Sequence, residues 1–195
     1  MIIVVRHGRT ASNASGLLLG RQDPPLDEAG RAQAAAMAAT LAGIDRVVSS
    51  PLLRTRQTAE AVAEVAGTEV EVDERFIELD YGEWDGRPVA DVAVEEWAEW
   101  QADLGFAPPG GESLASLGAR VREGLDELVA EARDRDVVVV THVSPVKAAV
   151  AWALGVGDET SWRMFVTPAS IARIAVRGDG SRSLLSFGEV AHLHG

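Results

Sequence analysis

Two uninterrupted apolar runs, Ile2-Ile3-Val4-Val5 and Val137-Val138-Val139-Val140, constrain the fold of this chain more than any other feature. A strand with one solvated face alternates apolar and polar residues. A strand covered on both faces reads instead as a continuous β-branched stretch. Each run is therefore expected inside a sheet that carries helices on both sides. Each also leads into a histidine, through Arg6-His7 in the first case and Thr141-His142 in the second. Ligands of open α/β sheets bind at the carboxyl ends of the strands. The other two histidines, His192 and His194, lie within the last four residues.

Apolar runs and helical patterns alternate along the chain, as in an α/β sheet. A polar, glycine-bearing loop spans 8–25, and Asp27 is an N-cap for an alanine-rich helix over 28–41, stopped near Gly43. A strand over 46–50 precedes a helix over 54–66, ended by Gly67, and a short strand over 68–72. The stretch 75–86 has no clean period. An amphipathic helix is expected over 89–104, broken by Pro108-Pro109-Gly110-Gly111, and a long helix over 114–133. Pro145 suits the first turn of a helix over 146–154, with Ser144 as its cap. The segments 169–176 and 183–190 form an antiparallel hairpin across Gly178-Asp179-Gly180. With no internal repeat and no linker, the reading is one domain over 1–195 with a helical, lid-like insertion at about 85–112.

Composition excludes several classes of function. Of the 195 residues, 47% are hydrophobic and 25% charged, a globular balance. No apolar stretch approaches the roughly 20 residues of a membrane helix. The N-terminal apolar run is too short for the core of a signal peptide, so a cytoplasmic location is expected. The absence of cysteine removes disulfides, cysteine-ligated metals and a thiolate nucleophile. A net charge of −12 argues against nucleic acid as a partner. A few converging arginines can still make a local anion pocket in an acidic protein.

Such a pocket arises if the strands lie side by side. The first strand delivers Arg6 and His7, the second is followed within a turn by Arg54 and Arg56, and the 137–141 strand delivers His142. Guanidinium groups pair phosphate oxygens in a fork and an imidazole adds a further hydrogen bond. Asn13, in the loop after the first strand, supplies another donor, and Val143, directly after His142, joins the phosphate-binding set. A neutral histidine can also attack phosphorus in line, which divides one displacement into two easier ones. Neighbouring arginines disfavour an imidazolium at His7. The leaving alkoxide needs a proton, and Glu78 is the candidate acid, because a bound phosphate dianion favours its neutral form.

These residues resemble the histidine phosphatases, a family that includes the cofactor-dependent phosphoglycerate mutases. Arg6-His7-Gly8 with Thr10 and Asn13 is similar to that family's R-H-G-x-T-x-x-N signature, and Ser49-Ser50-Pro51-Leu52-Leu53-Arg54 to its S-S-x-L-x-R segment. Glu78, Gly82, Trp84 and Gly86 resemble E-x-x-x-G-x-W-x-G, and Gly110-Gly111-Glu112-Ser113 resembles G-G-E-S. The resemblance spans nearly the whole chain. It implies a three-layer α/β/α fold with a mostly parallel central sheet, His7 as the phosphorylated nucleophile, and Arg6, Arg54 and His142 as the phosphate pocket. It also implies Glu78 as proton donor. Where many members have T-H-G-G, this chain has Thr141-His142-Val143-Ser144, which resembles the actinobacterial acid-phosphatase branch, sometimes fused to a ribonuclease H domain.

A mutase must retain a second anionic group and exclude water. The insertion instead carries Asp91, Glu95, Glu96, Glu99 and Asp103 against Arg87 alone, so hydrolysis of a small phosphomonoester, without metal or other cofactor, is the leading reading. Phosphoryl transfer of the mutase type, action on phosphoprotein and non-catalytic binding of a phosphorylated ligand are the alternatives. The spacing of Trp97, Trp100 and Phe106 fits one helical face, and they are read as core, with stacking on an aromatic leaving group as the alternative, while Trp162 either rims the pocket or packs beneath it. His192 and His194 are read as a solvated tail, and a homodimer through an exposed sheet edge is compatible with the pattern.

Overall fold

A computed structural model describes residues 1–194. Strand β1 (Ile2–Arg6) is followed by a one-turn helix α1 (Ala11–Ala14), helix α2 (Glu28–Ala38), strand β2 (Arg46–Ser49), helix α3 (Leu53–Ala66) and strand β3 (Val70–Val72). Short 3₁₀ turns at Glu74–Phe76, Gly82–Trp84 and Val89–Asp91 lead to helix α4 (Val94–Ala102) and helix α5 (Leu114–Leu128). Strand β4 (Val137–Thr141), helix α6 (Val143–Leu154) and the hairpin β5 (Ile171–Val176) and β6 (Arg182–Glu189) complete the order. The six strands form one sheet in the order β3-β2-β4-β1-β5-β6. Pairings among β1–β4 are parallel, and those of β5 are antiparallel.

The uniform apolar runs behave as their composition requires, since β1 and β4 lie side by side at the middle of the sheet. Ile2, Val4, Val137 and Val139 pack into one apolar layer with Leu117, Val121 and Leu125 of α5 and with Val146 and Trp152 of α6. Ile3, Val5, Val138 and Val140 face the other way, onto Met37 of α2 and Ala59 and Val62 of α3. The result is three layers, α/β/α. Among the described residues, no helix is long and apolar enough to cross a membrane.

Several boundaries differ from the sequence reading. The expected 89–104 helix is a 3₁₀ turn followed by the shorter α4, and Trp100 on α4 is buried against Trp84 and Trp162, with Trp97 stacked on it. Trp84 and Trp100 belong to the core, and Trp97, Phe106 and Trp162 pack half-buried against it. Helix α6 starts three residues early, with His142 as its N-cap residue; Ser144 lies inside the first turn. The tail is not simply solvated either, because His192 Nε2 donates to the Ala169 carbonyl over 2.9 Å.

Candidate active site

Strands β1, β2 and β4 run parallel, so their carboxyl ends open on one edge, where Arg6, His7, Ser50 and His142 emerge. The His7 loop is drawn tightly onto the start of α2. A side chain at Gly8 would strike the Gly30 carbonyl, and one at Gly30 would strike the Arg9 carbonyl. Only glycine permits that backbone approach. His7 N–H donates to Thr141 O and Ala169 N–H donates to His7 O, so β4 and the turn leading into β5 fix the backbone of the histidine.

His7 is 2% exposed, and its Nδ1 lies 2.6 Å from the Gly8 carbonyl. A carbonyl only accepts, so Nδ1 carries the proton and Nε2 keeps its lone pair. Burial holds the His7 imidazole well below its ordinary titration range, and Arg6 and Arg54 add to that effect. The sequence pattern assigns this neutrality to the arginines; desolvation is the larger cause. The His142 ring meets His7 edge-on, with ring centres 5.2 Å apart. Burial, then Arg54, His7 and Arg6, depress its titration likewise. Ser50 Oγ lies 2.7 Å from His142 Nε2, while His142 Nδ1 is buried without a partner.

Arg6 reaches the Val166 carbonyl through Nη1 at 2.7 Å. Arg54, in the first turn of α3, donates Nη1 to Gln22 O and Nη2 to Gly20 O, at 2.7 and 2.8 Å. Both guanidinium groups touch carbonyls rather than carboxylates, and the Nε of each is buried without a partner. Burial lowers both from the ordinary arginine value, Arg6 to about 10, although Glu78 opposes the effect. Arg56 points away, exposed on α3.

Glu78 sits opposite, 2% exposed. Its carboxylate accepts from Leu79 N–H at 2.7 Å and from two N–H groups at the start of α6, Val143 at 3.0 Å and Ser144 at 3.3 Å. It therefore caps α6, which explains the early start of that helix without a capping side chain from residue 144. The backbone of Glu78 is gripped in turn by Arg120, which donates to the carbonyls of Arg75, Ile77 and Glu78 and pairs with Glu112 over 2.8 Å.

Arg6, His7, Asn13, Glu78, Tyr81 and Val143 line one cavity of about 160 Å³, walled on one side by Leu17, Leu18 and Leu19. Burial raises the Tyr81 phenol well above its usual range, so it stays a neutral donor. Asn13 has a second task, because its Oδ1 accepts from Thr10 N–H and Oγ1 and caps α1. Ser50, Arg120 and the leucine wall are parts of the candidate site that the sequence pattern does not single out. The T-x-x-N spacing of Thr10 and Asn13 is a legible capping signal; Ser50 and Arg120 act on partners 92 and 42 to 45 residues away.

Comparisons with known proteins show the family and the fold. The model of the histidine phosphatase superfamily (branch 1) matches residues 2–188. The bifunctional protein Rv2228c of Mycobacterium tuberculosis is 34% identical over 98% of this chain, which covers 54% of that protein. The chain thus spans about half the length of the mycobacterial relatives it matches. Phosphoserine phosphatase 1 of Hydrogenobacter thermophilus is 36% identical, over 89% of this chain and 85% of its own. The solved structure of a mycobacterial glucosyl-3-phosphoglycerate phosphatase, Rv2419c, in complex with VO3, superposes with a TM-score of 0.87 at 31% identity, covering 97% of this chain and 99% of its own. With a family match over nearly the full length, on a site built from the same residues that carry the resemblance, the chain belongs to the histidine phosphatase superfamily, branch 1.

Proposed function

We propose that this chain hydrolyses small phosphomonoesters through a phosphohistidine at His7. The observation that carries the reading is the convergence of three buried N–H-bearing groups, Arg6, Arg54 and His142, each with a nitrogen lacking any protein partner, around a histidine held as a neutral base. A buried donor without a partner is costly. An anion with several acceptor oxygens at this edge offers them acceptors; Arg6 lines the cavity with His7, while Arg54 and His142 are not among its lining residues. Two of the relatives are named as phosphatases, and the mycobacterial structure holds VO3, which supports the same reading.

In the first step the lone pair on His7 Nε2 forms a bond to phosphorus while the bond to the ester oxygen breaks. Glu78 gives its proton to that leaving oxygen. Water then attacks the phosphohistidine, Glu78 takes a proton from it, and the N–P bond breaks to release phosphate. Arg6 and Arg54 hold the transferring oxygens throughout. If Ser50 donates to His142 Nε2, the remaining ring proton resides on Nδ1 and points a donor at the phosphate. Asn13 and the Val143 N–H complete the set. That N–H belongs to Glu78 in the absence of ligand, so an arriving phosphate competes for it. The mechanism uses no metal, and the carboxylates of segment 85–112 disfavour a second anionic group.

Phosphate release from a panel of phosphomonoesters in EDTA, by the wild type and His7→Ala, tests this. The wild type turns over and the variant, folded, loses about 10³-fold or more. Equal turnover by both removes His7 as nucleophile, and loss of wild-type activity in EDTA removes the metal-free mechanism.

A further inference from the structure

Three consecutive backbone N–H groups, those of Gly20, Arg21 and Gln22, converge on one carboxylate. Gly20 N–H donates to Asp85 Oδ1 at 2.8 Å, and Arg21 and Gln22 donate to Oδ2 at 2.9 and 2.8 Å. The Gln22 side chain adds a donation to the Asp85 carbonyl at 3.2 Å. Successive amides turned toward one anion form a nest, a local anion site made of backbone alone. Here the anion is the protein's own.

The carbonyls of that same three-residue segment do a second job. Gly20 O and Gln22 O are the acceptors that grip the Arg54 guanidinium. The peptide unit between Gly20 and Arg21 is thus fixed at both ends, its N–H on Asp85 and its carbonyl on Arg54, and Gln22 is held likewise through its own N–H and carbonyl. The adjoining residues Leu17, Leu18 and Leu19 wall the cavity. The segment is also laced to the start of the insertion by Leu18 N–H to Arg87 O at 2.9 Å and Gly86 N–H to Leu18 O at 2.8 Å. Asp85 itself follows the buried Trp84 and precedes Gly86, whose positive φ of 82° turns the chain back onto residue 18.

We infer that Asp85 is a positioning residue for the phosphate clamp: by filling the 20–22 nest it fixes the two carbonyls that aim Arg54 at the substrate phosphate. An unfilled nest holds three amides facing one another without an anion, and the segment relaxes. Arg54 then loses the pair of acceptors that set its plane. A guanidinium recognises phosphate through that plane, so the consequence falls on phosphate affinity. The inference rests on Arg54 as a phosphate ligand of the proposed phosphatase.

The test measures binding of inorganic phosphate, KM and kcat for p-nitrophenyl phosphate, and melting temperature, in the wild type, Asp85→Asn and Asp85→Ala. Asp85→Ala is expected to weaken phosphate binding and raise KM about tenfold, as orienting groups around a ligand do, with a smaller change in kcat. Asp85→Asn, which keeps one acceptor oxygen, falls between. Formate at tens of millimolar is expected to restore phosphate affinity in folded Asp85→Ala by entering the nest, and not to raise it in the wild type. A folded Asp85→Ala with wild-type phosphate affinity overturns the inference. So does a loss that formate leaves untouched and that tracks melting temperature across the two variants. A wild type that binds phosphate but fails to hydrolyse esters overturns the enzyme reading and leaves the Asp85 result standing; one that binds no phosphate overturns both.

Discussion

Two arginine pairs in this molecule are treated in opposite ways. At the β2–β3 edge, Arg46 bridges Glu71 and Glu131 at 2.8 Å, and Arg75 bridges Asp73 and Glu127 at 2.7 Å. Those carboxylates raise both arginines above their ordinary value. At the carboxyl edge of the central strands, Arg6 and Arg54 hold only carbonyls, and burial lowers both. Both clusters are rich in charge; Arg46 and Arg75 line a cavity of about 180 Å³, and Arg6, without Arg54, lines one of about 160 Å³. Only one is short of anions. A cation that the fold buries and leaves without a directly paired carboxylate carries a cost that a ligand must offset, whereas a neutralised surface pair asks for nothing. Charge density alone therefore does not find the site; the balance of charge does.

The sharpest way to break the comparison is to alter Glu78, the one carboxylate lining the site cavity among the described residues. As a proton donor it matters in proportion to the basicity of the leaving group. Glu78→Gln is expected to cost about 10²-fold in kcat on alkyl phosphates and only a few fold on p-nitrophenyl phosphate. Side-by-side kcat values on the two ester classes decide this. Equal losses would make Glu78 a helix cap and no more.

Acid gives the next largest effect. His7 and His142 are both held well below their ordinary values, while an unfolded chain titrates its histidines near pH 6.5. Above that pH both states are neutral and the stability is intact. As the pH falls below it, the unfolded chain takes up two protons that the native fold refuses. Stability then drops by up to roughly 2.7 kcal/mol per pH unit, the value for two protons, until the folded values are reached. The surface carboxylates Glu71 and Asp73, whose values are lowered, lose their contribution only below the ordinary carboxylate range. Denaturant midpoints between pH 7 and 5 thus isolate the histidines, and His142→Gln should about halve the slope. A flat profile over that interval would contradict two neutral, buried imidazoles.

How much of the molecule is legible in the sequence differs between the two clusters for a physical reason. Arg6, His7 and His142 stand at the ends of uniform apolar runs, so local sequence fixes both the strand and the residues at its exit. Arg54 stands in the first turn after β2, and so it is legible too. The acceptors that aim these groups are not. Gly20 and Gln22 contribute only carbonyls, which no side-chain pattern records. The start of α6 is set by Glu78, 65 residues upstream, so a local cap rule selects Ser144 instead of His142. The amphipathic period of 89–104 continues past Val92 and Ala93, where the chain is extended, and so it predicts too long a helix. At the β2–β3 edge the strands are legible, while the pairing of Arg46 with Glu71 needs the parallel register of β2 with β3.

The smallest effect is expected at that edge, and it closes the comparison from the other side. Arg46 keeps 31% of its side chain in solvent and Glu71 keeps 57%. Water and salt therefore screen the pair, and ordering two long side chains offsets much of the attraction. Arg46→Gln should change stability by at most about 1 kcal/mol, with the change shrinking as salt is raised. Turnover and phosphate affinity should be unaltered. A double-mutant cycle with Glu71→Gln, read from denaturant midpoints at low and high salt, measures the coupling. A large, salt-insensitive coupling would mean that this edge also stores buried charge. The shortage of anions at Arg6 and Arg54 would then no longer distinguish the site from the rest of the surface. A coupling near zero leaves that shortage as the feature that separates a charge cluster built for a ligand from one built for itself.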